Sequence, residues 1–252
     1  KKFSDFTHNC IGNTVIDSHT FNCHNKAGHG MMNLGSALAQ SCNTFFYNFS
    51  LLIGAKSIYS FATALGFGST VTLAKDIKTT GENIASFNTI SSSDRALANM
   101  AIGQGDLLAS PVVLLNLYNA IAGDGTYILP TAVKYTLKNG QKSEYKKSSP
   151  TRVLSDDNAA LLRQYLKQVV EDGTGTKAKP ENCTAAGKTA TAETGWKNNE
   201  GKLVSQSWFC GFFPFENPKY TVVILAEDSV SGGEDCAPVF KKICEEVTRL
   251  NP

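Results

Sequence analysis

The most informative stretch of this sequence is Ala186-Gly187-Lys188-Thr189-Ala190-Thr191-Ala192-Glu193. Its small residues and two β-branched threonines favour a β-strand. The two-residue period of a strand places Lys188 and Ala190 on one face and Thr189 and Thr191 on the other. An ammonium and two hydroxyls along such a strand suit a groove that holds an extended substrate with a carboxylate. Because short segments of this composition recur by chance, the prediction of such a groove depends on the other segments of the chain.

Outward from this strand, the period of the apolar residues predicts the remaining architecture. Residues 184–194, 204–214 and 219–228 predict an antiparallel series of strands, and an amphipathic helix over 236–250 follows them. A long helical stretch is predicted from Asn33 onward, because its apolar residues recur at helical spacing. Further helices are predicted over about residues 55–65, 95–102, 111–122 and 157–171.

The sequence therefore predicts an α+β fold, in which an antiparallel β-sheet with the C-terminal helix on its face accompanies an all-helical subdomain. We expect one domain over residues 1–252, with a helical part at about 31–172 and a sheet part at about 173–252.

Composition excludes several classes of protein. Of the 252 residues, 42% are hydrophobic and 18% are charged, which is typical of a folded protein. The 24 basic and 22 acidic residues leave a net charge of +2. The chain therefore has no strongly positive electrostatic field that would attract a polyanion, and nucleic acid is not an expected partner. No run approaches the roughly 18–20 apolar residues that cross a bilayer. The start Lys1-Lys2-Phe3-Ser4-Asp5-Phe6 does not begin a secretory signal, since no apolar core follows the lysines.

The 7 cysteines leave more than one interpretation open, because an odd number cannot pair completely within the chain. Cys10 and Cys23 flank a short polar segment, for which we favour a disulfide or two free thiols. A zinc site made of His8, Cys10, Cys23 and His24 is the alternative, although both spacings are tighter than those of zinc fingers. We assign no metal and no cofactor. Cys42, in a helical pattern, is expected to be a small buried hydrophobe.

Two further segments combine polar residues with tight turns. Ser41-Cys42-Asn43 lies between two apolar helical segments, where the hydroxyl can relay a proton and the amide can bind a substrate peptide. The alternative is a polar turn with local caps. Gly103-Gln104-Gly105 permits a sharp turn, and Ser110-Pro111 then starts a helix with serine at the N-cap and proline at the first helical position.

Taken together, these segments resemble the transpeptidase domain of penicillin-binding proteins, which belong to the penicillin-recognising serine enzymes. His29-Gly30 followed by Ser41-Cys42-Asn43 is similar to the segment with the Ser-x-Asn motif, and Gly103-Gln104-Gly105 with Ser110-Pro111 is similar to a second family segment. The strand around Lys188 resembles the Lys-Thr-Gly-Thr strand, except that Ala190 stands where glycine is usual. Trp208-Phe209-Cys210-Gly211-Phe212 resembles the strand that follows it. The order and the spacing agree over about residues 8–250.

The resemblance implies a D,D-transpeptidase of class B type, a transferase that cross-links peptidoglycan stem peptides by serine acyl transfer and binds β-lactams. It implies that Ser41 relays a proton between the lysine of a Ser-x-x-Lys motif and the leaving amine. Asn43 would hydrogen-bond the substrate backbone, and Lys188 would tune the electrostatics and orient Ser41.

The same resemblance implies roles for the neighbours of Lys188. Thr189 and Thr191 would bind the terminal carboxylate of a stem peptide or of a β-lactam. The backbone N–H of Thr191 would be one of two oxyanion donors. The methyl group of Ala190 narrows the strand face, so we expect tolerated catalysis but an altered fit of β-lactams.

The nucleophile of the family is not found in its usual place. Its Ser-x-x-Lys motif precedes Ser-x-Asn, whereas the one match here is Ser143-Glu144-Tyr145-Lys146. This match follows Ser41 and lies in a polar, basic segment, so we interpret it as a decoy. We expect that the chain is truncated upstream of Lys1, that it alone is inactive and forms no covalent penicillin adduct, and that a membrane anchor lies in the missing part. The full-length protein would then sit on the extracytoplasmic face of the bacterial cell membrane.

Other functions remain open at this point. A D,D-carboxypeptidase or a class D β-lactamase would use water as the acyl acceptor. Asn43 and Gly103-Gln104-Gly105 favour a penicillin-binding protein over a β-lactamase. A non-catalytic β-lactam sensor or a pseudo-transpeptidase binding module belongs to a different class.

Overall fold

The computed structural model describes residues 3–79, 87–105 and 107–251. Its α-helices are α1 (Leu34–Ala39), α2 (Asn43–Ile53), α3 (Ala55–Ala64), α4 (Phe87–Ile90), α5 (Asp94–Ala101), α6 (Pro111–Ala122), α7 (Asp156–Glu171) and α8 (Ala237–Leu250). Its strands are β1 (His8–Cys10), β2 (Asn13–Ile16), β3 (His19–Asn22), β4 (Gly30–Met32), β5 (Thr72–Ala74), β6 (Ile77–Lys78), β7 (Thr126–Tyr127), β8 (Tyr135–Lys138), β9 (Gln141–Glu144), β10 (Thr151–Arg152), β11 (Ala186–Lys197), β12 (Leu203–Phe213) and β13 (Tyr220–Ala226).

The largest sheet is the antiparallel series predicted for the last third of the chain. Its order is β11-β12-β13, so β11 lies at an edge. Lys188 pairs with Cys210, which in turn pairs with Val223. The strand predicted around Lys188 is therefore confirmed, and one of its sides is not covered by another strand of this sheet.

Helices pack on both faces of this sheet. Successive residues of β12 point to opposite sides, and both sides carry apolar residues that the helices bury. Phe209 and Phe213 contact Phe240 of α8 on one face, with ring centroids 4.5 and 6.1 Å apart respectively. On the other face, Phe212 shares a buried cluster with Leu166 of α7 and Tyr118 of α6. The result is a helix–sheet–helix arrangement, which confirms the α+β prediction. Two helices of the helical part cover the sheet directly.

The long helical stretch predicted from Asn33 is interrupted at Ser41-Cys42-Asn43, which agrees with the position predicted for this segment between two helical segments. Ser41 adopts φ 55°, in the left-handed region that ends helices. The N–H of Cys42 donates to the carbonyl of Ala37 at 2.9 Å and closes the last turn of α1. The chain then enters α2 at Asn43, so Ser41-Cys42-Asn43 forms a tight turn between two helices.

Smaller strand pairs complete the described part. Residues 8–32 contain the antiparallel pairs β1–β4 and β2–β3. Asn139 and Gly140 form the turn of the hairpin β8–β9, and both have a positive φ. Within the residues that the structure describes, no helix combines the length and the apolar character needed to cross a membrane.

Candidate active site

A cavity of about 530 Å³ opens between β11, helix α6 and the turn that precedes α6. Lys188, Ala190 and Ala192 line it from β11, as their common strand face predicts. Gly103 and Gln104 line it from the turn. Apolar side chains supply much of the remaining wall, and they include Leu107, Leu114, Leu117, Tyr118, Trp208 and Leu225. Two segments singled out in the sequence therefore meet at one concave surface.

Among the described residues that line this cavity, Lys188 is the charged one. Its Nζ donates to the carbonyl of Thr189 at 2.9 Å and to the hydroxyl of Thr174 at 3.3 Å. Burial lowers the pKa of Lys188 to about 8, because the apolar surroundings disfavour the ammonium. Such a group binds an anion when it is protonated, and it exchanges its proton close to neutral pH.

The two threonines of β11 have different surroundings. Thr189 is only 8% exposed, and its hydroxyl oxygen lies 2.8 Å from that of Thr174. Thr191 is exposed, lines the cavity, and accepts a hydrogen bond from the N–H of Gly232 at 3.2 Å. A hydroxyl that accepts this bond still has a proton to donate. Thr191 is thus the more accessible of the two hydroxyls.

Thr174 is a site residue that the sequence did not reveal. Its N–H donates to the carbonyl of Ala39 at 3.0 Å, and a Cβ on Gly173 would lie 2.4 Å from the same oxygen. Gly173 therefore allows the loop after α7 to reach the end of α1. Through Thr174 this loop connects the residues before Ser41 to Lys188. The available signal was weak: Gly173 predicts a helix end, but no local pattern marks the residue after it as a partner of β11.

Within the described ranges, the structure places Ser41 and Asn43 outside the cavity lining. Ser41 occupies the turn after α1, and Asn43 begins α2. The structure thus brings Lys188, Ala190 and Thr191 together with Gly103 and Gln104. Hydrogen bonds through Thr174 connect Lys188 to Ala39, two residues before Ser41.

Ser143 is not among the described residues that line the cavity. It belongs to β9, whose residues are all exposed, in the hairpin with β8. The described surroundings of Ser143 provide no buried helix of the kind that an activated serine needs, which agrees with its interpretation as a decoy.

Comparison with known proteins adds a sequence relationship to this geometry. Residues 1–245 match the family described as penicillin binding protein transpeptidase domain. Stage V sporulation protein D of Bacillus subtilis is 26% identical over 245 residues, which cover 93% of this chain and 37% of that protein. Peptidoglycan D,D-transpeptidase MrdA of Acinetobacter baumannii is 26% identical over 247 residues, which cover 89% of this chain and 36% of that protein. The chain thus spans little more than a third of the length of these two relatives.

Solved structures share the fold. The D,D-transpeptidase domain of a peptidoglycan glycosyltransferase from Eggerthella lenta superposes with a TM-score of 0.83 at 28% identity, covering 98% of this chain and 61% of that one. Penicillin binding protein 3 from Mycobacterium tuberculosis, complexed with aztreonam, superposes with a TM-score of 0.84 at 24% identity, covering 98% of this chain and 58% of that one. These likenesses confirm the predicted fold class.

Proposed function

This chain belongs to the penicillin-binding protein transpeptidase domain family, and from that premise we propose that it forms one side of a D,D-transpeptidase centre. The proposed reaction cross-links peptidoglycan stem peptides by serine acyl transfer. The observation that carries the proposal is the cavity wall of β11, where Lys188 and Thr191 stand on an edge strand beside the Gly103-Gln104 turn.

Substrate binding follows from the position of β11. An extended peptide can lie along an uncovered strand edge, where backbone groups supply hydrogen bonds. The protonated Lys188 would attract the terminal carboxylate of the peptide, and the hydroxyl of Thr191 would donate to it. Thr189, behind the strand, would support the carboxylate site through Thr174. A β-lactam carries a comparable carboxylate and would occupy the same position.

The chemical step needs groups that stabilise the oxyanion and move protons. The backbone N–H of Thr191 would be one oxyanion donor, a contribution of roughly 3–4 kcal/mol to the transition state. Ser41 would relay a proton between the lysine of the nucleophile motif and the leaving amine, and Asn43 would hydrogen-bond the peptide. The link from Ala39 through Thr174 to Lys188 supports this assignment, because it connects the end of α1, two residues before Ser41, to β11.

The nucleophile itself would come from a Ser-x-x-Lys motif outside these 252 residues, since Ser143 is unsuited to the role. Family membership also supports a position on the extracytoplasmic face of the bacterial membrane, with an anchor in the full-length protein.

Covalent labelling of the full-length protein by a fluorescent penicillin tests the proposal. Lys188→Ala is expected to lower the second-order acylation rate constant by about 100-fold or more, because it removes the charge that orients and stabilises the reacting β-lactam. Lys197→Ala is the matched control: it removes an exposed lysine from the same strand and is expected to leave the rate unchanged. Ser143→Ala should also leave the rate unchanged.

The outcome separates the candidate functions. A stable adduct that forms rapidly in the wild type and in Lys197→Ala, but slowly in Lys188→Ala, supports the transpeptidase. Rapid release of hydrolysed β-lactam by the wild type would indicate a β-lactamase instead. Reversible binding without any adduct would indicate a non-catalytic sensor, and equal rates in the two lysine variants would refute the assigned role of Lys188.

A further inference from the structure

Four potential metal ligands converge away from the cavity. They are the side chains of Cys10, Cys23, His29 and Cys42, and their ligand atoms all lie within 4.8 Å of one another. The Nδ1 of His29 lies 3.6 Å from the Sγ of Cys10 and 3.5 Å from the Sγ of Cys23. Three thiols and one imidazole in a single cluster form the donor set of structural zinc sites.

The spacing of the ligand atoms around His29 fits a tetrahedral ion. A Zn–S bond of about 2.3 Å and a Zn–N bond of about 2.0–2.1 Å, at the tetrahedral angle, place sulfur and nitrogen about 3.6 Å apart. The two sulfur–nitrogen distances around His29 agree with that value. We propose that Cys10, Cys23, His29 and Cys42 bind one Zn²⁺ ion in a closed, structural site.

Backbone geometry brings the ligands together. Gly12 has φ 96°, and a Cβ there would lie 2.1 Å from the carbonyl oxygen of Lys26. Gly28 has φ 83°, and a Cβ there would lie 2.2 Å from the carbonyl oxygen of Cys10. Only glycine permits both the dihedral angle and the approach. Two glycines therefore lock the loop after Cys10 against the loop that carries Cys23 and His29.

The cluster is shielded from solvent. The exposed fractions of Cys10, Cys23 and Cys42 are 1%, 3% and 0% respectively. Three thiolates and one Zn²⁺ carry a net charge of −1, far less than three uncompensated buried thiolates would carry. Burial of this kind is characteristic of a structural site, in which all four positions are filled by protein.

Neighbouring polar groups orient the ligands. The Sγ of Cys42 lies 3.5 Å from the hydroxyl oxygen of Thr44. The ring of His29 lies against that of His24, with centroids 5.1 Å apart, and the Nε2 of His24 is 2.9 Å from the carbonyl oxygen of Gln40. His24 is thereby engaged with the chain just before Ser41, and His29 points its Nδ1 at the sulfurs.

This ligand set corrects the zinc alternative considered from the sequence. His29 and Cys42 take the places of His8 and His24. Cys42 is buried in a cluster with Phe45, as predicted, and the proposal adds a role as a ligand. The structure has Cys10 and Cys23 as free thiols. Because Cys42 stands between Ser41 and Asn43, the ion would fasten this turn to β1 and to the loop after β3.

Metal content of the full-length protein tests the proposal, and it does so independently of the proposed enzymatic function. Protein purified without chelators and under reducing conditions is expected to contain about one zinc per chain by inductively coupled plasma mass spectrometry. Cys23→Ser should lose most of this zinc. Cys183→Ser, which removes a partly exposed thiol outside the cluster, should retain it.

A second measurement does not depend on the folding of a variant. Exchange of the bound metal for Co²⁺ in the wild type should give the visible d–d bands of a tetrahedral ion and a thiolate-to-metal charge-transfer band. Any one of three results would overturn the proposal. The first is a wild type that contains no zinc and takes up no Co²⁺. The others are stoichiometric binding of another metal and a Cys10–Cys23 disulfide found by mass spectrometry. Equal zinc loss in Cys183→Ser and Cys23→Ser would do the same.

Discussion

The folded protein binds the proton of Lys188 less tightly than the unfolded chain does. Burial lowers its pKa to about 8 in the folded protein, whereas an unfolded lysine keeps a pKa of about 10.4. Between these two values the unfolded state binds more protons. The free energy of unfolding therefore rises with pH through this window, and the lysine is least favourable to folding below pH 8.

A pH comparison of unfolding free energies measures this effect. Between about pH 7.5 and 9.5, the free energy of unfolding should rise more in the wild type than in Lys188→Met, by on the order of 1 kcal/mol. Urea unfolding at both pH values provides the measurement. Lys197→Met, on the exposed part of β11, should behave like the wild type. An identical pH dependence in the wild type and Lys188→Met would show that Lys188 is not desolvated.

Site residues differ in how far the sequence predicts them. The period of a strand predicts that Lys188 and Ala190 share a face, because it requires only local geometry. The contact between Thr174 and Lys188 joins separate elements, so no local pattern predicts it. The proposed metal site shows the same contrast. The spacing of Cys10 and Cys23 is visible in the sequence, but His29 joins them only because two loops that require Gly12 and Gly28 approach each other.

At the scale of elements, strand β11 is supported from behind by the short π-helical turn Gly232–Cys236. The N–H of Gly232 donates to Thr191 at 3.2 Å. A Cβ on Gly232 would lie 2.3 Å from the carbonyl oxygen of Trp208 and 2.5 Å from that of Ala190. The backbone of this turn thus rests directly on the sheet, under the residues that line the cavity.

Gly232→Ala is expected to destabilise the protein by about 1–3 kcal/mol, since the added methyl group must displace the backbone of β11 or β12. Gly233→Ala is the control, because its Cβ would come no closer than 3.1 Å to its nearest neighbour, the carbonyl oxygen of Thr174. Thermal or urea unfolding of both variants provides the comparison. If the two substitutions cost the same, direct packing of Gly232 on the sheet is not what constrains this turn.

Elements with strong end signals are the ones that the sequence predicts well. The side chains of Ser110 and Ser155 cap α6 and α7, and both helices begin within about one residue of the predicted position. The break at Ser41 was less visible, because a serine at positive φ carries no residue-specific signal of the kind that glycine provides. The strands β1 to β4 are too short for their alternation to be recognised, and their pairing depends on tertiary contacts.

At the scale of the whole molecule, the buried residues form separate clusters. One contains Cys10, Cys23 and Cys42 together with Phe45 of α2. Another lies between the sheet and α8 and contains Phe209 and Phe240. A metal in the first cluster would therefore stabilise the part of the chain around β1, β4 and α2 more than it stabilises the sheet.

Hydrogen exchange with and without bound zinc tests this regional effect. A ligand that binds only the folded form raises the free energy of opening of the segments that its site holds together. Removal of zinc by a chelator should accelerate amide exchange in β1, β4 and the start of α2, and should change exchange in β12 much less. Cys23→Ser, which lacks one ligand, should show fast exchange in those segments whether or not the chelator is present. A uniform acceleration across both clusters would instead mean that the ion supports the fold as a single cooperative unit, and the regional prediction would then be wrong.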